Sequence, residues 1–130
     1  GCTPEGEYSL GPLYYRSDRI KKLKTYFNTV PIEKDMFWSD HPQSDHYNKL
    51  IRFKDSSYEN LYKEKHTYDI VLVVNYNTFP IVKGKGSAIF LHLAKKDFSS
   101  TSGCIALKKK CFFEILEKLD INDKIKIVSD

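Results

Sequence analysis

Two stretches decide how this chain reads: Ser87-Ala88-Ile89-Phe90-Leu91-His92-Leu93, and Ser99-Ser100-Thr101-Ser102-Gly103-Cys104-Ile105-Ala106-Leu107. From Ala88 onward the first is apolar except for one imidazole near its end, the pattern of a buried strand. Side chains alternate along a strand, so Ala88, Phe90 and His92 share one face while Ile89, Leu91 and Leu93 share the other. A polar segment then leads to a glycine and a cysteine before apolar residues resume. Cysteine attacks as the thiolate, and a neighbouring imidazole makes and holds that thiolate near neutral pH. His92 and Cys104 are twelve positions apart and meet if the intervening loop folds back. Gly103 suits a tight turn at a nucleophile and lets a substrate carbonyl approach backbone N–H groups. The competing reading is structural: cysteine is among the most buried residue types, and a lone strand histidine is often a satisfied core residue.

Upstream, Thr67 to Val74 reads as the strongest strand, with a near-continuous apolar run that implies burial on both faces. Asn75-Tyr76-Asn77 gives it a polar exit, where sheets present binding groups. The connection from Pro80 to Gly86 contains Gly-Lys-Gly but is no phosphate loop, because no Ser or Thr follows the lysine and no helix comes next. Downstream, Cys111, Phe112, Ile115, Leu116 and Leu119 recur at helical spacing and predict a packed helix over 108–119 with Cys111 among its buried members. Lys124 to Val128 alternates cleanly and reads as a closing strand. Near the start, Pro4 and Gly6 form a turn that feeds a strand with Tyr8, Leu10, Leu13 and Tyr15 as core candidates. Residues 16–29 carry a basic cluster and read as a helical turn or loop on the surface. Residues 30–66 show little periodicity, and a stretch that long inside one domain is more often functional than decorative. Trp38 in it reads either as a cleft residue or as a core plug. His41, Asp45 and His46 lack a recognised ligand spacing, so no metal site is expected.

A chain of 130 residues with 41% hydrophobic against 29% charged residues is one ordinary domain with a proper core. The net charge of +4 sits mostly in the second half, with 10 basic and 7 acidic side chains over residues 66–130, and reads as a solvated surface. No aromatic–basic or helix-turn-helix motif points to nucleic acid, and no apolar run reaches membrane-spanning length. Three cysteines, Cys2, Cys104 and Cys111, leave at least one thiol free within a monomer.

Taken together, these residues resemble the L,D-transpeptidases with a YkuD-type catalytic domain. The resemblance is carried by Thr3-Pro4-x-Gly6-x-Tyr8 and by the block from Ser87 to Leu107, in which a strand histidine precedes a Ser/Thr-x-Gly-Cys turn. Met36-x-Trp38-Ser39-Asp40, Tyr47-Asn48, Tyr68-Asp69, Tyr76-Asn77 and Gly86 to His92 look like a proteobacterial branch of that family. The resemblance implies a mainly β (α+β) fold of curved mixed sheets with one packed helix near the C-terminus. It implies one catalytic domain over 1–130, with the family's usual N-terminal strand missing ahead of the Thr-Pro turn.

It also implies peptidoglycan stem peptides as partners, a periplasmic or cell-envelope location, a monomer, and no cofactor, nucleic acid or membrane insertion. Cys104 would be the nucleophile, His92 the base, and the Leu93 backbone carbonyl the group that orients the imidazole. The N–H groups around Ser102, Gly103 and Cys104 would form the oxyanion hole. Trp38, Tyr76, Asn77, Ser87 and Thr101 are the candidates for touching substrate. Two positions depart from the family's pattern: Ser102 stands in place of a second histidine, and Ala106 in place of an arginine two positions after the cysteine. That loss puts carboxylate recognition and the cross-link type in doubt. A hydrolase using the same thioester, an L,D-carboxypeptidase or endopeptidase, is the alternative activity. A non-catalytic wall-binding module is a third reading, which the intact cysteine–histidine pair disfavours.

Overall fold

The computed structural model describes residues 5–94 and 105–128. Its centre is the antiparallel pair β6 (Ile70–Val74) and β7 (Phe90–Leu93), with Val71 opposite His92, Leu72 opposite Leu91 and Val73 opposite Phe90. Every residue of both strands is buried, which is what a run of β-branched and aliphatic residues with no outward polar set demands. β1 (Gly6–Tyr15) pairs with the far side of β6, and β8 (Ile105–Leu107) runs parallel to β7 on the other side. β2 (Thr29–Pro31) and β9 (Lys124–Ile127) both attach to β1, the first parallel and the second antiparallel. β1 serves three partners along its length, and its register with β6 shifts between Leu10 and Leu13, where Gly11 adopts a φ of +101° that a side chain would resist.

Alternation along β6 and β7 sends side chains into two separate cores. Ile70, Leu72, Val74, Leu91 and Leu93 meet Leu13, Phe27 and the helix α1 (Lys109–Lys118) on one side. Val71, Val73 and Phe90 meet Tyr14, Met36, Trp38 and Leu61 on the other. The second core is roofed by a small sheet of β4 (Leu50–Ile51), β3 (Phe37–Ser39) and β5 (Tyr58–Asn60), with β3 in the middle. Phe90 joins these layers, meeting Trp38 edge-on at 5.2 Å and Tyr68 at 5.9 Å; truncating so buried a ring costs about 3–5 kcal/mol. The fold is mainly β, with mixed sheets and one helix near the C-terminus, as the resemblance implies.

Three expectations change. The strand foreseen from Thr67 is preceded by a 3-10 turn, His66–Tyr68, and begins at Ile70. The strand foreseen from Ser87 begins at Phe90, because Ala88 takes a left-handed φ of +58°. Cys111 is exposed rather than buried: the ten-residue helix turns a narrow stripe inward, Phe112 and Leu116, and Cys111 lies off it. Residues 30–66, with no periodicity in sequence, contain the whole second sheet.

Asp55 ties that sheet's loops together. Its Oδ2 accepts a hydrogen bond from Ser39 Oγ at 2.7 Å, and bonds from Ser44, Ser39 and the Ser56 N–H hold its carboxyl down at about 2, below the ordinary 3.8. A depressed carboxylate contributes stability above its unfolded value and loses it as pH falls through the folded one. Carboxyl-carbon NMR is therefore expected to show Asp55 titrating near 2, with the Ser39 contact intact at pH 5 and released only as the pH falls toward 2.

Candidate active site

His92 leaves β7 on the face shared with Phe90 and is only 3% exposed. Its Nδ1 lies 2.8 Å from the Leu93 carbonyl oxygen. A carbonyl can only accept, so Nδ1 carries the proton, and in the neutral ring Nε2 is the basic nitrogen. In the sheet His92 is flanked by Val71 on β6 and Ala106 on β8, the latter being the position where an arginine was expected from the resemblance. The Tyr68 ring stands 5.4 Å away, edge to face.

Cys104, with Thr101, Ser102 and Gly103, lies outside the described residues. The described chain resumes with Ile105, in register with Leu91, and Ala106 beside His92. The nucleophile proposed from sequence is thus one peptide bond from a strand that pairs with the histidine's own strand. Ala94 N–H donates to the Leu107 carbonyl at 2.8 Å and extends that pairing.

The remaining candidates have different duties. Trp38 is buried in the second core, its Nε1–H donating to Asn48 Oδ1 at 3.0 Å and its ring against Tyr14 and Phe90. An indole with a satisfied N–H among aromatics packs as part of the second core. Ser87 Oγ donates to the Ser39 carbonyl at 2.8 Å and fastens the approach to β7 onto β3. Tyr76 is half-buried, edge-on to Tyr8, with its hydroxyl donating to the Lys85 carbonyl. Asn77, at φ +56°, braces the 77–86 loop by donating to the Val82 and Gly86 carbonyls and accepting from Val82 N–H. Asp45 pairs with Lys83, and His46 meets Phe53 edge-on.

Sequence reasoning missed two organisers. Asn48 is 4% exposed with φ +58°. Its Oδ1 accepts from Trp38 Nε1–H and Ala88 N–H, and its Nδ2 donates to the Tyr76 and Asn77 carbonyls. One amide therefore joins the second sheet to both ends of the loop that enters the histidine strand. The second organiser is an arginine pair from the basic cluster read as surface. Arg16 is buried, grips Asp18 through two bonds, stacks over Tyr62 at 3.7 Å and donates to the Lys63 carbonyl at 2.7 Å. Arg19 pairs with buried Asp69 at 2.8 Å and donates to the Lys63, Glu64 and Lys65 carbonyls. An Asn flanking a Tyr and arginines three apart are the only signals either gave, and neither is specific.

The chain matches the model of the L,D-transpeptidase catalytic domain (YkuD) over residues 1–127. It belongs to that family, whose members act on peptidoglycan stem peptides. Comparison with the curated proteins and with the solved structures gave no match. Among the described residues, no helix is long and apolar enough to cross a membrane.

Replacing Asn48 with Ala strips partners from four buried or half-buried backbone and indole groups at once. At about 1–3 kcal/mol for each buried group left unpaired, urea unfolding is expected to show a loss of at least about 2 kcal/mol. Asn48→Gly, which accepts the positive φ, is expected to lose less than Asn48→Ala.

Proposed function

We propose that this chain is a peptidoglycan L,D-transpeptidase that works by cysteine acyl transfer, its catalytic domain spanning residues 1–130. The observation that carries the reading is His92: a buried imidazole held by a backbone carbonyl, beside the strand that follows Cys104, in a chain of this family.

The Cys104 thiol gives its proton to His92 Nε2, and the thiolate attacks the carbonyl carbon of a diaminopimelate residue in its amide bond to D-alanine, in a donor stem peptide. The N–H groups around Ser102, Gly103 and Cys104 receive the oxyanion, a contribution of about 3–4 kcal/mol to barrier lowering in comparable sites. The C–N bond breaks, the imidazolium protonates the departing D-alanine, and a thioester remains. An amine of a second stem then attacks the thioester, His92 takes its proton, the C–S bond breaks as the new amide cross-link forms, and the imidazolium returns the proton to the departing thiolate. The Leu93 carbonyl stabilises the imidazolium by accepting from Nδ1–H. Trp38, Tyr76, Asn77, Ser87 and Thr101 border the donor. The enzyme works as a monomer in the periplasm and needs no metal or cofactor.

Acylation by a carbapenem tests the nucleophile. Mass spectrometry is expected to show one adduct on the wild type and on Cys111→Ala, none on Cys104→Ala, and acylation slowed at least about 100-fold in His92→Ala. Equal labelling of Cys104 and Cys111 would defeat the assignment. Incubation with purified sacculi then separates the activities: new dimers support the transpeptidase, while shortened stems alone would replace it with the carboxypeptidase.

A further inference from the structure

We propose that Tyr68 is a positioning residue for the His92 imidazole, and that Arg16 and Arg19 hold it in that place. The inference rests on His92 being the base of the proposed reaction. The hydrogen bond from Nδ1 to the Leu93 carbonyl places one ring atom, but the tilt of the ring about that bond is decided by what packs on it. In the sheet, the neighbours of His92 are Val71 and Ala106, both small, and Ala106 offers only a methyl group. The large wall is the Tyr68 ring, 5.4 Å from the imidazole at 68°.

Tyr68 does not come from the sheet. It ends a three-residue 3-10 turn, His66–Tyr68, and so short a turn has little stability of its own. Its place is imposed from a segment some 50 residues earlier. Arg16 and Arg19 together engage the carbonyls of three consecutive residues, Lys63, Glu64 and Lys65, on the way into the turn. On the way out, Asp69 is held by the Arg19 side chain, and its carbonyl accepts from Arg16 N–H at 2.8 Å. His66 Nδ1 lies 2.6 Å from the second Asp69 oxygen and closes the turn on itself. Lys63 Nζ sits 4.2 Å over the Tyr68 ring, so the ring is held by a cation as well as by the imidazole edge. The guanidinium groups are donors in rigid forks, and the chain 63–69 is their acceptor set. The arrangement delivers an aromatic wall to the imidazole and restricts the tilt of its ring.

The test uses the full chain carrying Cys2→Ser and Cys111→Ala, so that Cys104 is the one thiol left of three. Iodoacetamide alkylation is followed against pH, and carbapenem acylation is resolved into its rate and half-saturation terms. Tyr68→Leu is expected to lower the acylation rate about 10- to 100-fold, the scale of a small misplacement of a catalytic group, with half-saturation within about twofold. Its alkylation midpoint is expected to rise toward the free-thiol value of about 8.5. Tyr68→Phe, which keeps the wall, is expected to stay close to the parent, and Arg19→Met to move in the same direction as Tyr68→Leu. Should Tyr68→Leu fail to fold, Arg19→Met decides. The inference is overturned if these variants keep the parent midpoint and rate, or if Tyr68→Phe falls as far as Tyr68→Leu. His92→Ala separates the two levels: a raised midpoint there with unchanged Tyr68 and Arg19 variants sinks the inference alone, whereas an unchanged midpoint in His92→Ala sinks the reading of the base as well.

Discussion

Burial of β6 and β7 on both faces is the constraint from which the rest of the architecture follows. Apolar side chains on both sides of a strand pair cannot face water, so each face has to be covered by something else. On one face the helix and the turns near Phe27 do this; on the other the three-stranded sheet does. His92 has the same strand parity as Phe90 and therefore opens toward the second layer. The imidazole is brought there by the same alternation that builds the core, with no departure from regular strand geometry.

Covering a sheet with loops and short strands creates a second problem, since irregular backbone carries unpaired polar groups. The chain solves it with few side chains that each make many bonds. Asn48 satisfies groups from three segments, and the two arginines satisfy consecutive carbonyls that no strand reaches. These multi-bonded polar contacts, several of them part-buried, specify an arrangement where apolar packing alone would tolerate several. Residues far from the histidine in sequence thereby govern its surroundings.

What could be read from the sequence was whatever repeats with the period of a strand or helix. The shared face of Phe90 and His92, the helix and the closing strand carry such a period, and the Ile70–Val74 run was legible as an unbroken apolar stretch. β3, β4 and β5 are two or three residues long and carry none, so their sheet was invisible. Arg16 and Arg19 look like solvated charge because their partners are backbone carbonyls 44 to 47 residues away, groups that every sequence contains. Cys111 followed helical spacing yet faces outward, because a short helix on a sheet buries less of its circumference than an apolar count suggests. For the site, the histidine and its face were legible, the burial of Trp38 in the second core emerged only from packing, and the wall supplied by Tyr68 needed a fold to be seen.

The group that holds the imidazole belongs to the main chain, and this has an evolutionary consequence. A carboxylate in the same role can be lost by a single base change and brings an ionisation of its own. The oxygen beside His92 is present whatever amino acid occupies position 93, and it never titrates in water. Selection at that position can act on the leucine's fit in the first core, while the anchor itself is beyond the reach of point mutation.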